Sequence, residues 1–338
     1  MSVVTIGFSL HRPELVPLLV ACMRANDALF LEEPPTEEFG RMLAGLIGVD
    51  EYMMTIDAEY PQFTRMMVAA LRDLHAQGKQ IFQVEPYLES LLGLHAFFAE
   101  GYRPADLKKD TLMYPVYLAE RNATDALLAY YQVAAGGSFA MTIDAVKRFA
   151  RVDAARFRLR DDLRAQALSS SVANHAAAFI EAGVMHYPLK RLLQRRVSAR
   201  GRVRSVFLAD EIVKNLGQKG HLYGPGDQLT LLYILHPKIS ATVRETLLAA
   251  RALVYSKIII KEELPADTAR FAHVEDELLC IAATRELSLP DCRRLFELIR
   301  GVSTCDARRA VADHVMGSRP RLGESLKGRP AASTRTGE

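Results

Sequence analysis

Short β-branched apolar runs alternate along this chain with longer stretches whose apolar residues fall at helical spacing. Val3–Ser9 (VVTIGFS) reads as a buried strand, and the segment after it, from Arg12, as a helix with Pro13 in its first turn. Ala28–Pro35 (ALFLEEPP) reads as a second buried strand ended by prolines. A helical stretch from Glu37 to Gln77 follows, interrupted at Gly48 and Pro61. Gly78–Pro86 reads as a third strand entered through a glycine cap, and Tyr87–Gly101 as the next helix. From Ala105 to Ala182 the spacing is helical, with a break at Ala134–Ser138 (AAGGS). Ala182–Leu189 (AGVMHYPL) then returns to a strand. Arg204–Val213 reads as a strand followed by a short helix or loop, Gly224–Asp227 as a turn opening a helix, and Ile239–Val315 as helical.

This order predicts an α/β fold: a central, mostly parallel sheet with right-handed crossovers, large helical insertions and a helical C-terminal region. The expected division is an α/β domain over 1–238 carrying the insertion at 105–182, then helices over 239–316 packed on it. A tail at 317–338, poor in large apolar residues, is expected to be disordered. In such sheets ligands sit at the carboxyl ends of the strands. The polar residues expected there are Ser9 and His11, Glu32 and Glu33, Glu85, and His186.

Composition narrows the functional classes. The 338 residues are 49% hydrophobic and 25% charged, the balance of a globular chain with a substantial core. A net charge of +3 is too small to suggest a nucleic-acid binder. Cys22, Cys280, Cys292 and Cys305 form no CxxC pair. Reduced thiols, no export signal and no apolar run long enough to span a membrane lead to an expected cytoplasmic location. The eleven methionines read as core filler. The chain lacks a GxSxG elbow, a P-loop and a GxGxxG turn, which weighs against serine hydrolases, nucleotide hydrolases and dinucleotide enzymes.

His11, Glu32, Glu33, Glu85 and His186 form the main candidate constellation. Imidazole with carboxylate is a ligand set for Zn, Mn or Fe, and equally a metal-free acid–base set. Any one of these residues alone is more readily structural; four strands delivering them to one edge favours a site. Of Glu32 and Glu33, alternation along a strand turns one inward and one away. Arg164, on the helix before the His186 strand, is a candidate for binding an anionic group. His273 and Glu277 share a helix face and could bind a metal together, but a solvated helix end accounts for the same letters and is the preferred reading. Lys190–Arg204 holds seven Lys or Arg and no acid. It reads as an exposed helix face, with an anion-binding rim as the alternative.

The strand ending in GFSLH, the LFLEEP strand and the later AGVMH segment resemble the TIKI/TraB and ChaN-like group, with erythromycin-esterase-like proteins as distant relatives. That group is marked by two Gly-x-x-His motifs and a glutamate on the strand after the first. Gly183–His186 has the motif spacing, whereas Gly7 and His11 have three residues between them. The resemblance covers the sheet-forming parts, under half of the chain. It implies an α/β sheet with helical insertions and places the first histidine at His11 and the glutamate at Glu32 or Glu33.

The expected function is hydrolysis of an ester, amide or peptide bond at a divalent metal (Zn, Mn or Fe) held by His11, Glu32 and His186. Glu33 and Glu85 would act as catalytic carboxylates, and Arg164 would bind an anionic group. The alternative is a haem- or metal-binding protein without turnover. The expected partner is a small-molecule or peptide substrate, which the basic run suggests is anionic. A homo-oligomer is compatible with the sequence; a membrane or nucleic acid is not expected.

Overall fold

The structure is a computed structural model describing residues 2–197, 201–239, 242–264, 271–317 and 320–327. The chain divides into two compact units, each boundary inside the insertion falling within a helix. The first holds Met1–Arg121 and Arg156–Glu211, the second Asn122–Ala155 and the described part of Ile212–Glu338. The second unit thus begins at 212 rather than 239 and takes in the middle of the insertion.

The first unit contains β1 (Ser2–Ser9), α1 (Val16–Arg24), β2 (Ala28–Leu31), α2 (Glu37–Leu43), α3 (Val49–Met53), α4 (Pro61–Ala76), β3 (Gln80–Gln83) and α5 (Pro86–Ala99). Then come α6 (Met113–Gly136) and α7 (Phe139–Ser171), each shared between the units, followed by β4 (Ala177–Gly183), α8 (Leu189–Val197) and β5 (Gly201–Phe207). The five strands form one all-parallel sheet in the order β3-β2-β4-β1-β5. An α/β fold with helical insertions and a helical C-terminal part is what the hydrophobic pattern predicted.

The sheet is covered on both faces, as a parallel sheet requires. Val4, Ile6 and Phe8 of β1 and Ala178 and Ile180 of β4 pack with Ala165 and Leu168 of α7 and Leu189 and Leu193 of α8. On the opposite face Leu29, Leu31 and Phe179 pack with Leu19 and Met23 of α1 and Met67 and Leu71 of α4. Residues 161, 164, 165 and 168 of α7 recur at helical spacing, so one stripe of that helix carries both core residues and charges toward the sheet.

Two expectations are corrected. The strand expected at Ala182–Leu189 is β4, Ala177–Gly183, and Val184–His186 is a 3-10 turn beyond its end. Residues 177–182 carry few β-branched side chains, so their apolar run was indistinguishable from the helix before it. Within the tail expected to be disordered, Pro320–Lys327 forms a helix that buries Leu326. The four-residue step from Leu322 to Leu326 is too short a stripe to stand out among polar letters. The rest of that tail from 328 lies outside the described residues.

The second unit adds α9 (Asp210–Asn215, at the boundary), α10 (Pro225–Leu235), α11 (Val243–Ile258), α12 (Ala272–Arg285), α13 (Leu289–Ile299), α14 (Thr304–Met316) and α15 (Pro320–Lys327). Thr242 and Ser288 cap α11 and α13 through reciprocal bonds with Glu245 and Asp291. Arg308, itself buried, donates to both oxygens of Asp276 at 2.7 Å and to the Ile258 carbonyl at 2.6 Å, tying α14 to α11 and α12.

Gly7 is required by a close approach. A Cβ there would lie 2.3 Å from Cζ of Phe179, whose ring crosses β1 on the way into the core. Gly7→Ala should therefore cost about 1–3 kcal/mol by overpacking. Chemical denaturation should show Gly7→Ala/Phe179→Leu recovering part of that loss. A neutral Gly7→Ala would contradict the packing.

Candidate functional site

β1, β4 and β2 are neighbours, so the residues just beyond their carboxyl ends meet at one edge. The register pairs Ser9 with Gly183 and Gly7 with Glu181. It places His11 two residues past β1, His186 three past β4, and Glu32 just beyond β2. The β2–β4 ladder ends at Phe30 and Ile180. Two glutamates then continue it with their side chains. The Glu32 N–H donates to Glu181 Oε2 at 3.1 Å, and the Gly183 N–H donates to Glu32 Oε2 at 2.6 Å.

Glu32 is the centre of a buried ionic cluster. Its Oε1 lies 2.7 Å from His186 Nε2 and 2.7 Å from Arg160 Nη2, and its Oε2 lies 3.3 Å from Arg164 Nη1. His186 Nδ1 pairs with Asp161. Glu85 lies 3.4 Å from Arg160 Nε and 3.5 Å from Arg164 Nε. Arg164 also donates to the carbonyls of Val84, at 3.0 Å, and Glu181, at 2.7 Å. Glu32, Glu85 and Asp161 face Arg160, Arg164 and His186, so with the three carboxylates ionised the cluster is neutral when His186 is protonated.

The titration directions of His186 and Glu32 follow from this pairing. Burial opposes charge on His186, but Glu32 and Asp161 outweigh it and push the imidazole up to about 9 from 6.5. Burial likewise raises Glu32, but His186, Arg160 and Arg164 overcome it and hold the carboxyl well below its usual 4.5. Glu85, buried beside these two guanidinium groups, is raised by burial, which their charges only partly offset.

Beside this cluster lies a more open layer. His11 Nε2 is 3.3 Å from Glu181 Oε1, with 37% of the His11 side chain exposed. Its ring stacks on Phe63 with centroids 5.0 Å apart. Glu33 Oε2 accepts from Gln83 Nε2 at 3.0 Å. Burial opposes charge on His11, but Glu181 outweighs it and raises the imidazole above 6.5. Burial raises Glu33 above 4.5, the Gln83 bond offsetting only part. His11, Glu32, Glu33 and Glu181 line one cavity of about 480 Å³, walled by apolar and aromatic side chains such as Tyr52, Phe63 and Met67.

The expected ligand set of His11, Glu32 and His186 does not come together as metal ligands. Both nitrogens of His186 face carboxylates, and both oxygens of Glu32 accept from cations or an N–H, so the lone pairs a metal needs are taken. Among the described residues no three His, Cys, Asp or Glu side chains are disposed to hold a metal ion. The same engagement leaves His186 no nitrogen for a haem iron. Arg164 is not open to an anion: it is wholly buried, its charge is paired with Glu32 and Glu85, and it donates to two carbonyls. Glu85 belongs to the buried cluster and not to the cavity wall.

Glu32 and Glu33 both line the cavity, contrary to the expected alternation, because β2 ends at Leu31 and strand geometry no longer applies. The sequence reading missed Glu181, Asp161 and Arg160. Glu181 ends an apolar run just before a Gly-x-x-His segment, which was the available signal; Asp161 and Arg160 had none beyond their spacing from Arg164. The described residues of the basic run do not line the cavity. Among the described residues the cavity wall carries Glu32, Glu33, Asp57, Glu59 and Glu181 and no Lys or Arg. In the second unit His273 Nε2 accepts from the Leu264 N–H at 2.8 Å and Glu277 accepts from Tyr255, which gives both residues structural partners.

The chain is similar to an uncharacterized protein from Archaeoglobus fulgidus, 29% identical over 269 residues, covering 79% of this chain and 88% of that protein. No family model matches the chain, and no solved structure matches it. Among the described residues no helix is long and apolar enough to cross a membrane.

Stability should report the ionic cluster. With the folded pKa of His186 raised, its contribution is complete below pH 6.5 and is lost as pH rises through about 9. Urea denaturation between pH 6 and pH 10 should show this fall, and His186→Gln should flatten it.

Proposed function

We propose that this protein is a hydrolase of an ester, amide or peptide bond, acting through a His/Glu site at the strand ends. The observation that carries the reading is one cavity of about 480 Å³ that brings together two groups whose pKa values both lie above their ordinary ranges, Glu33 and His11. A carboxylate of raised pKa is a better general base, and a held imidazolium is a general acid. The resemblance to the TIKI/TraB and ChaN-like group points the same way.

Glu33 takes a proton from a water, whose oxygen adds to the carbonyl carbon of the substrate. His11, held at Nε2 by Glu181, gives a proton from Nδ1 to the departing oxygen or nitrogen as the tetrahedral adduct collapses. Glu33 then releases its proton and His11 regains one from solvent. The buried cluster does not touch substrate. It fixes Glu32 and, through the two cross-strand bonds, the backbone and side chain of Glu181 that orient His11. The residues expected to hold a metal do not fit one here, so no step runs through a metal. The acidic cavity wall suits a neutral or cationic substrate better than an anionic one. Four free thiols favour a reducing, cytoplasmic setting.

A panel of chromogenic esters, aminoacyl amides and short peptides tests the reading. Glu33→Gln and His11→Gln should each lower kcat by about 100-fold or more with the fold retained by circular dichroism. For the wild type, kcat/KM should rise with ionisation of Glu33, at a pH above 4.5, and fall with deprotonation of His11, at a pH above 6.5. Binding of panel members without turnover would instead favour a ligand-binding protein. Full activity in either variant would overturn the assignment of that residue.

A further inference from the structure

The second unit contains a cavity of about 250 Å³ between the loop after α9, the start of α10, and α11 and α12. Among the described residues, the basic side chains Lys219, His221, Arg251 and Arg285 line it. No aspartate or glutamate among the described residues does. Among the described residues Lys219, Arg251 and Arg285 make no ion pair with a carboxylate. The nearby Asp227 directs its Oδ2 to the Gly224 N–H at 2.9 Å. Arg251 is fixed by donation from Nε to the Leu287 carbonyl at 2.9 Å, which leaves its two Nη groups for another acceptor. Gln218, Gln228 and Thr284 add neutral polar groups to the wall.

Like charges gathered without a counter-charge repel one another, and the repulsion is relieved when an anion enters. Three unpaired cations suit a dianion better than a monoanion. An arginine fork matches the oxygens of a tetrahedral oxyanion, and the enclosed volume is that of a small ligand. We propose that this cavity is a second ligand site, for a phosphate group, free or carried as a small phosphomonoester. It lies wholly within the helical unit and does not depend on the hydrolase reading.

The test is titration of the full-length protein with inorganic phosphate at constant ionic strength, chloride being the balancing anion, read by calorimetry and thermal shift. Saturable binding with a rise in Tm is expected. Lys219→Gln/Arg285→Gln, which changes only exposed side chains, should weaken it about threefold to fivefold. Adding Arg251→Gln should weaken it by a further factor on the order of tenfold. Because Arg251 also holds the Leu287 carbonyl, the double variant decides the question if the triple variant does not fold. Titration of a small phosphomonoester in parallel separates the two sources of the group: tighter binding than phosphate identifies the ester, equal binding the free ion. Absence of saturable phosphate and phosphomonoester binding, or unchanged affinity in the double variant, would overturn the proposal.

Discussion

The Glu32 carboxylate is the point on which the strand-end edge depends. It sits where the β2–β4 ladder has run out, faces a histidine and two arginines as ion pairs, and accepts hydrogen bonds from Arg160 and a backbone N–H. A carboxylate this buried is tolerated only with such compensation. The compensation comes from α7, whose Arg160, Asp161 and Arg164 occupy the same helical stripe as the core residues Ala165 and Leu168. One helix therefore sets both the packing of the sheet and the charge balance at its edge.

That arrangement divides the polar residues into two roles. Glu32, Glu85, Asp161, His186 and the two arginines neutralise one another out of solvent. Glu181 joins this group to the cavity: one oxygen accepts from the Glu32 N–H, the other faces His11. His11 and Glu33 are left to meet a substrate. A histidine with both nitrogens committed and a pKa near 9 is a poor metal ligand and a good structural cation, which explains why the two histidines do not act as an equivalent pair.

Much of the architecture was legible because the apolar runs of β1, β2 and β3 are short and bounded by glycine, proline or charge. Their order alone implies a parallel sheet. His11, Glu32, Glu33, Glu85 and His186 were found through their places at strand ends, and all five reach that edge. Their partners were not legible. Glu181 was hidden in Ala177–Ala182, an alanine-rich run that continues the letters of α7 and shows its strand character only in the β1 register. Asp161 and Arg160 look like any solvated helix face, because sequence spacing cannot tell which stripe of a 33-residue helix turns inward. The lone pairs that decide against a metal belong to long-range contacts, Glu32 with Gly183 and His186 with Asp161, that no local pattern encodes. The unit boundaries were missed for a related reason: they fall inside continuous helices, without a change in composition.

The central claim is that His186 is the cation that completes a neutral buried cluster around Glu32. Its most direct test is nitrogen-15 NMR of the imidazole across a pH titration of the folded wild-type protein. The account predicts that both ring nitrogens of His186 carry protons at neutral pH and that the ring titrates near pH 9. A His186 ring that is neutral at pH 7, or that titrates at or below 6.5, would contradict it and return His186 to the set of available ligands.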